Sequence, residues 1–164
     1  MDTLKLSELI GQEIAELRFH YIPENECGLE SFSSYIKLKN DIIIGVPKFS
    51  DDNDYMQLTD DNVNYYKKMF DTGELVNEKT KLYFVGQKIV DFYFSYFNNE
   101  VDIDISAFIK LTNNFYLSEN NSGPHGVTDI NLIILDEEEF NEEVKRLKGI
   151  EVDVRSFIMT KNAC

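Results

Sequence analysis

Residues 120–126, NNSGPHG, hold the residue types nearest to a reactive or ligand-binding constellation, because Gly123-Pro124 and Gly126 confine the backbone and present His125 at a tip. A functional reading makes this a ligand or partner loop. Turn chemistry alone accounts for the same residues, so a shaped turn between two strands is the simpler reading. Cys27 and Cys164 are the only cysteines, with no CxxC and no nearby His pair, so neither a disulfide scaffold nor a zinc site follows. There is no GxSxG, P-loop, GxGxxG or HExxH. The expectation is a protein that is not an enzyme and that uses no cofactor and no metal.

Carboxylates are the other chemistry-bearing groups. Asp51, Asp52 and Asp54 form one cluster and Asp102 and Asp104 another, but neither run carries the Gly and Glu that a calcium-binding EF-hand loop needs in place. The densest stretch is Asp136, Glu137, Glu138, Glu139, Glu142 and Glu143. If Phe140, Val144 and Leu147 face a core, most of these acids face water, either as a solvated helix face or as a docking surface for a basic partner. Thirty acidic against sixteen basic residues give a net charge of −14, a field that repels phosphate backbones and anionic membranes. Nucleic acid and membrane are therefore not expected as partners. The first residues lack a basic start followed by a long apolar run, and no stretch approaches the roughly 18 apolar residues of a membrane span. A cytoplasmic location is expected.

The elements that position these residues are legible through an internal repeat. Residues 10–21, IGQEIAELRFHY, match 85–96, VGQKIVDFYFSY, at an offset of 75 residues. Residues 34–44, SYIKLKNDIII, match 107–117, AFIKLTNNFYL, and a third block pairs residues from Leu58 with residues from Leu135. Three different element types recurring in the same order are hard to obtain by chance between unrelated strands. His20 falls opposite Ser95 in this match, so it reads as a surface histidine on a strand's polar face.

In the first block Ala15, Leu17, Phe19 and Tyr21 alternate with Glu16, Arg18 and His20, as Val90, Phe92, Phe94 and Tyr96 alternate with their neighbours, which predicts half-buried strands. Lys39-Asn40-Asp41 and Thr112-Asn113-Asn114 read as hairpin turns, since Asn and Asp tolerate positive φ. The third block predicts a helix in each copy, with Thr59 or Asp136 as N-cap and a capping box between Asp136 and Glu139. Residues 129–135 and 150–155 read as further strands, 55–58 as a faint one, 4–10 as a helical turn or two, and 74–80 as the joint. Tyr35, Tyr93, Phe108 and Tyr116 lie opposite the clearest core positions, so either a second layer covers them or they form a binding surface.

The expected fold is α+β: one compact domain of two repeats, about 1–76 and 77–164, each an antiparallel β-sheet unit with a helix on one face, the pair related by a pseudo-twofold. The repeated Gly-Gln-x-Ile strand followed by a Tyr/Phe-Ile-Lys-Leu hairpin, in a short acidic chain without catalytic residues, resembles the small immunity proteins that accompany bacterial polymorphic or contact-dependent toxins. That resemblance implies a cytoplasmic protein that binds and blocks one cognate toxin domain, often by presenting carboxylates to a basic nuclease surface. The expected contact set is Asp51, Asp52, Asp54, Asp136, Glu137, Glu138, Glu142, Glu143, Tyr93 and His125. A second expectation is a small-ligand or enzymatic pocket at the seam between the repeats, near Ser122 and His125. A third is a structural adaptor, or a homodimer paired through an exposed strand edge.

Overall fold

A computed structural model describes residues 4–22, 31–46, 57–58, 60–76, 78–101, 107–119 and 132–162. In chain order the described elements are β1 (Leu4–Lys5), a 3₁₀ turn (Leu6–Leu9), β2 (Ile14–Ile22), β3 (Ser31–Leu38), β4 (Ile43–Gly45), β5 (Gln57–Leu58), α1 (Asp60–Asp71), β6 (Glu74–Leu75), α2 (Glu78–Lys81), β7 (Ile89–Phe97), β8 (Glu100–Val101), β9 (Ala107–Leu111), β10 (Tyr116–Glu119), β11 (Leu132–Leu135), α3 (Glu137–Lys148), β12 (Val152–Ser156) and α4 (Phe157–Asn162). The fold is α+β. One antiparallel sheet runs β4-β3-β2-β6 and the other β11-β10-β9-β7-β12, with β8 also on β7, while β1 and β5 form a small separate pair.

Each sheet folds from its own hairpins. Asp41 (φ 70°) and Asn114 (φ 65°) close the two predicted turns in the left-handed region. In both, the residue before the turn donates across it, Leu38 N to Ile42 O at 2.8 Å and Leu111 N to Phe115 O at 2.9 Å. The middle turn residue's side chain then accepts from the backbone two residues on, Asn40 from Ile42 N and Asn113 from Phe115 N, each at 3.2 Å. These bonds satisfy donors that a tight turn would otherwise leave exposed.

The long strands β2 and β7 depart from simple alternation. Their registers shift between Ile14 and Glu16 and between Ile89 and Asp91, so each carries a bulge at the same place. The extra residue turns Ile14 and Leu17 inward together, and likewise Ile89 and Phe92, all at most 1% exposed. Ala15, which alternation placed with Leu17, is exposed, and Val90 is half-buried.

The inner faces of the two sheets share one apolar cluster that includes Leu17, Ile36, Leu38 and Ile44 from one and Phe92, Ile109, Leu111 and Leu117 from the other. On the outer faces lie the helices. α1 covers the β2-β3-β4 side, where Tyr66 packs on Tyr35 (centroids 5.8 Å apart) and Arg18 lies over the Phe70 ring (4.7 Å). α3 covers the β7-β9-β10 side. Among the described residues, no helix is long and apolar enough to cross a membrane.

The sheets meet where the repeated Gly-Gln segments cross. Gly11 N donates to Ile89 O (2.8 Å) and Gly86 N to Ile14 O (3.0 Å); Ile14 N donates to Gln87 O (2.8 Å) and Ile89 N to Gln12 O (2.9 Å). Glu13 and Lys88 bridge antiparallel between them. Both glycines adopt positive φ, +88° and +86°, which a side chain resists. Leu9 and Phe84, fully buried, fill the space behind this crossing.

The minor elements refine these expectations. Residues 57–58 pair with β1 and not with the sheet. Glu74 and Leu75, expected as part of the joint, instead pair with Phe19 and Arg18 at the edge of β2, the position β12 takes beside β7. The chain also adds α4, whose Phe157 packs edge-on against Phe92 at 6.2 Å.

Candidate partner-binding surface

α3 forms because its ends are chemically complete. Asp136, the N-cap, accepts from Glu139 N at 2.8 Å while the Glu139 carboxylate accepts from Asp136 N at 3.1 Å, the reciprocal capping box expected from the sequence. Glu137, Glu138 and Glu139 occupy the positive end of the helix dipole and Lys145, Arg146 and Lys148 the negative end.

Phe140 is the anchor. Its ring stacks on Tyr116 (3.8 Å, 2° between planes) and meets Tyr93 and Phe108 edge-on at 5.0 and 5.1 Å. Such pairings add about 0.5–1.5 kcal/mol each beyond burial. Burial holds the Tyr93 and Tyr116 hydroxyls above their ordinary pKa; the negative charge of Asp91 reinforces this for Tyr93 ahead of Glu137, and that of Glu137 for Tyr116 ahead of Asp91. The four aromatics predicted opposite the core are thus under helices: Tyr35 beneath α1, and Tyr93, Phe108 and Tyr116 beneath α3. Tyr93, placed in the expected contact set, lies half-buried behind α3 on the side away from its acidic face.

Helical periodicity sends Glu138, Glu142 and Lys145 to the side opposite Phe140, where with Asp136, Asn141 and, from the flank nearer Phe140, Glu137 they line one open depression. The acids of this helix divide into two groups. Asp136 and Glu139 are used in the cap. Glu143 accepts from Arg146, at 3.1 Å from Nε, and this pairing raises the arginine's pKa. Glu137, Glu138 and Glu142 form no ion pair among the described residues and remain in solvent.

The other expected contact residues, Asp51, Asp52, Asp54 and His125, lie outside the described residues, as do Thr59, Ser122 and the rest of 120–131. Among the described residues, no group of three or more His, Cys, Asp or Glu side chains gathers as metal ligands would. His20, expected at the surface, is half-buried, with Nε2 at 2.6 Å from Met69 O and 3.2 Å from Thr72 Oγ1, tying β2 to the end of α1.

Asp91 was not singled out by sequence. The β7 bulge buries its carboxylate, which accepts from Phe92 N (2.8 Å), from Ile158 N (3.2 Å) and from the Ser156 hydroxyl. It thereby joins β7, β12 and the first turn of α4. A carboxylate flanked by apolar residues on a strand was the available signal.

Comparison of the chain with protein-family models, with curated proteins and with solved structures found no match.

Proposed function

We propose that this chain is an immunity protein: a cytoplasmic binding protein that neutralises a cognate bacterial toxin domain with a basic surface, such as a nuclease. The observation that carries the reading is the division of labour on α3. Its cap and the Glu143–Arg146 pair are internally satisfied, while Glu137, Glu138 and Glu142 project together from a helix fixed underneath by Phe140. Carboxylates on a rigid element need little ordering on binding, and a net charge of −14 adds long-range attraction for a cation-lined partner. A nuclease must be basic where it meets phosphate, so the charges are complementary by chemistry.

We also infer that the scaffold is a tandem duplication with the halves related by a pseudo-twofold. The exchanged bonds at Gly11 and Gly86, the matching bulges and the matching hairpin turns support it. The alternative, a pocket at the seam near Ser122 and His125, falls on residues outside the described ones; among the described residues, Leu9, Ile14, Phe84 and Ile89 beside the crossing are buried.

The test is capture from native cells with the full chain as bait, followed by co-expression of the captured protein. The reading expects a toxin domain with a basic surface, whose lethality the chain suppresses. Capture of no such domain, or a captured toxin whose lethality the chain leaves unchanged, contradicts it.

A further inference from the structure

β12 ends the larger sheet, pairing with β7 on one side and with no other strand among the described residues. It is five residues long, and the chain on both sides of it is described. α3 packs over one of its faces and α4 follows from its end, and no described strand pairs with the strand's outward backbone edge. An unpaired edge of this kind accepts another strand unless something blunts it.

The sequence of β12, Val-Asp-Val-Arg-Ser, is complementary to itself when read antiparallel. With a twofold axis through Val154, residues equidistant from it come opposite each other. Asp153 of one copy then faces Arg155 of the other, twice. Both side chains lie on the same strand face, as period two requires, and within one copy they pair with each other at 3.4 Å while Arg155 also donates to Asn99 Oδ1 (2.9 Å) and lies over the Tyr96 ring (4.4 Å); at 55% and 36% side-chain exposure both still reach solvent, where a facing copy can exchange the pairing. The charges also select the register. An axis through Asp153 would oppose two carboxylates, and one through Arg155 two guanidiniums, arrangements that cross-strand pairing penalises.

Exposed apolar residues flank the strand: Ile150, just before it, is 59% exposed, and Met159, in α4 just after it, is 75% exposed.

We propose that the chain forms a homodimer by antiparallel pairing of β12 with β12 of a second copy, in register about Val154, joining the two larger sheets into one. This is independent of the toxin-binding reading. Each copy carries −14, so the copies repel at long range. Screening at physiological ionic strength confines that repulsion to about 8 Å, whereas the facing Asp153–Arg155 pairs are in contact. Association should therefore be weaker in very dilute buffer than at moderate salt.

Sedimentation equilibrium of the full chain tests this. The wild type is expected to move with concentration from 19.1 kDa toward twice that mass. Asp153→Arg and Arg155→Asp, each alone, set like charges opposite and should remain near 19.1 kDa, with folding checked by circular dichroism. Mixed in equal amounts the two variants should recover the doubled mass, because each then supplies the charge the other lacks. If one single variant fails to fold, the double variant Asp153→Arg/Arg155→Asp replaces the mixture and should dimerise as the wild type does. A wild type that stays monomeric, a dimer indifferent to the single substitutions, or a folded mixture or double variant that stays monomeric would each overturn the proposal, and capture of a different protein's strand at this edge would accompany the first.

Discussion

At the scale of residues, Gly11 and Gly86 hold the crossing of the two sheets in a conformation that other residues resist. Open space surrounds the position a Cβ would take at either one, so alanine there meets a conformational penalty and no clash. Each Gly→Ala change should destabilise the protein by about 1–2 kcal/mol, and by similar amounts, read from urea unfolding. Tyr93 and Tyr116 predict a pH dependence. Their folded pKa values are raised, so unfolded tyrosines lose their protons first as pH climbs past about 10. The stability they contribute is whole below that pH and declines above it. Thermal melts from pH 9 to 11 should fall less steeply in Tyr93→Phe/Tyr116→Phe than in the wild type. The turns at Asp41 and Asn114 were legible in the sequence because Asn and Asp announce positive φ. The burial of Asp91 was not, because it depends on a bulge and on Ser156, 65 residues away.

At the scale of elements, α3 depends on one aromatic anchor and one cap. Phe140→Ala removes the ring that Tyr93, Phe108 and Tyr116 surround, and is expected to destabilise by about 3–5 kcal/mol. Asp136→Ala should lose only about 1 kcal/mol, the usual worth of an N-cap. Unfolding measured by near-ultraviolet circular dichroism separates the two. The capping box and the apolar spacing of Phe140, Val144 and Leu147 made this helix readable beforehand. The bulges in β2 and β7 were unreadable, since one inserted residue leaves the apolar count of a strand unchanged and only moves Ile14 and Ile89 inward. β6, two residues long, and α4, six, are too short for any period to emerge, and their places are set by pairing and packing with distant segments.

At the scale of the whole molecule, two sheets share one apolar cluster, and a second cluster of Phe108, Tyr116 and Phe140 seats α3 with its acidic side outward. Charge at that scale acts mainly on encounter, raising association rates by roughly 10- to 1,000-fold when a partner is complementary. The overall acidity was plain from composition. Which carboxylates remain available was not, because the cap and the Glu143–Arg146 pair had first to be assigned geometrically. The most direct test is the association rate of the captured toxin domain, measured against ionic strength for the wild type and for Glu137→Gln/Glu138→Gln/Glu142→Gln. The rate is expected to fall steeply with salt in the wild type, and the triple variant to bind at least ten-fold more slowly with a shallower salt dependence. Equal rates and equal salt slopes for the two proteins would contradict the toxin-binding reading.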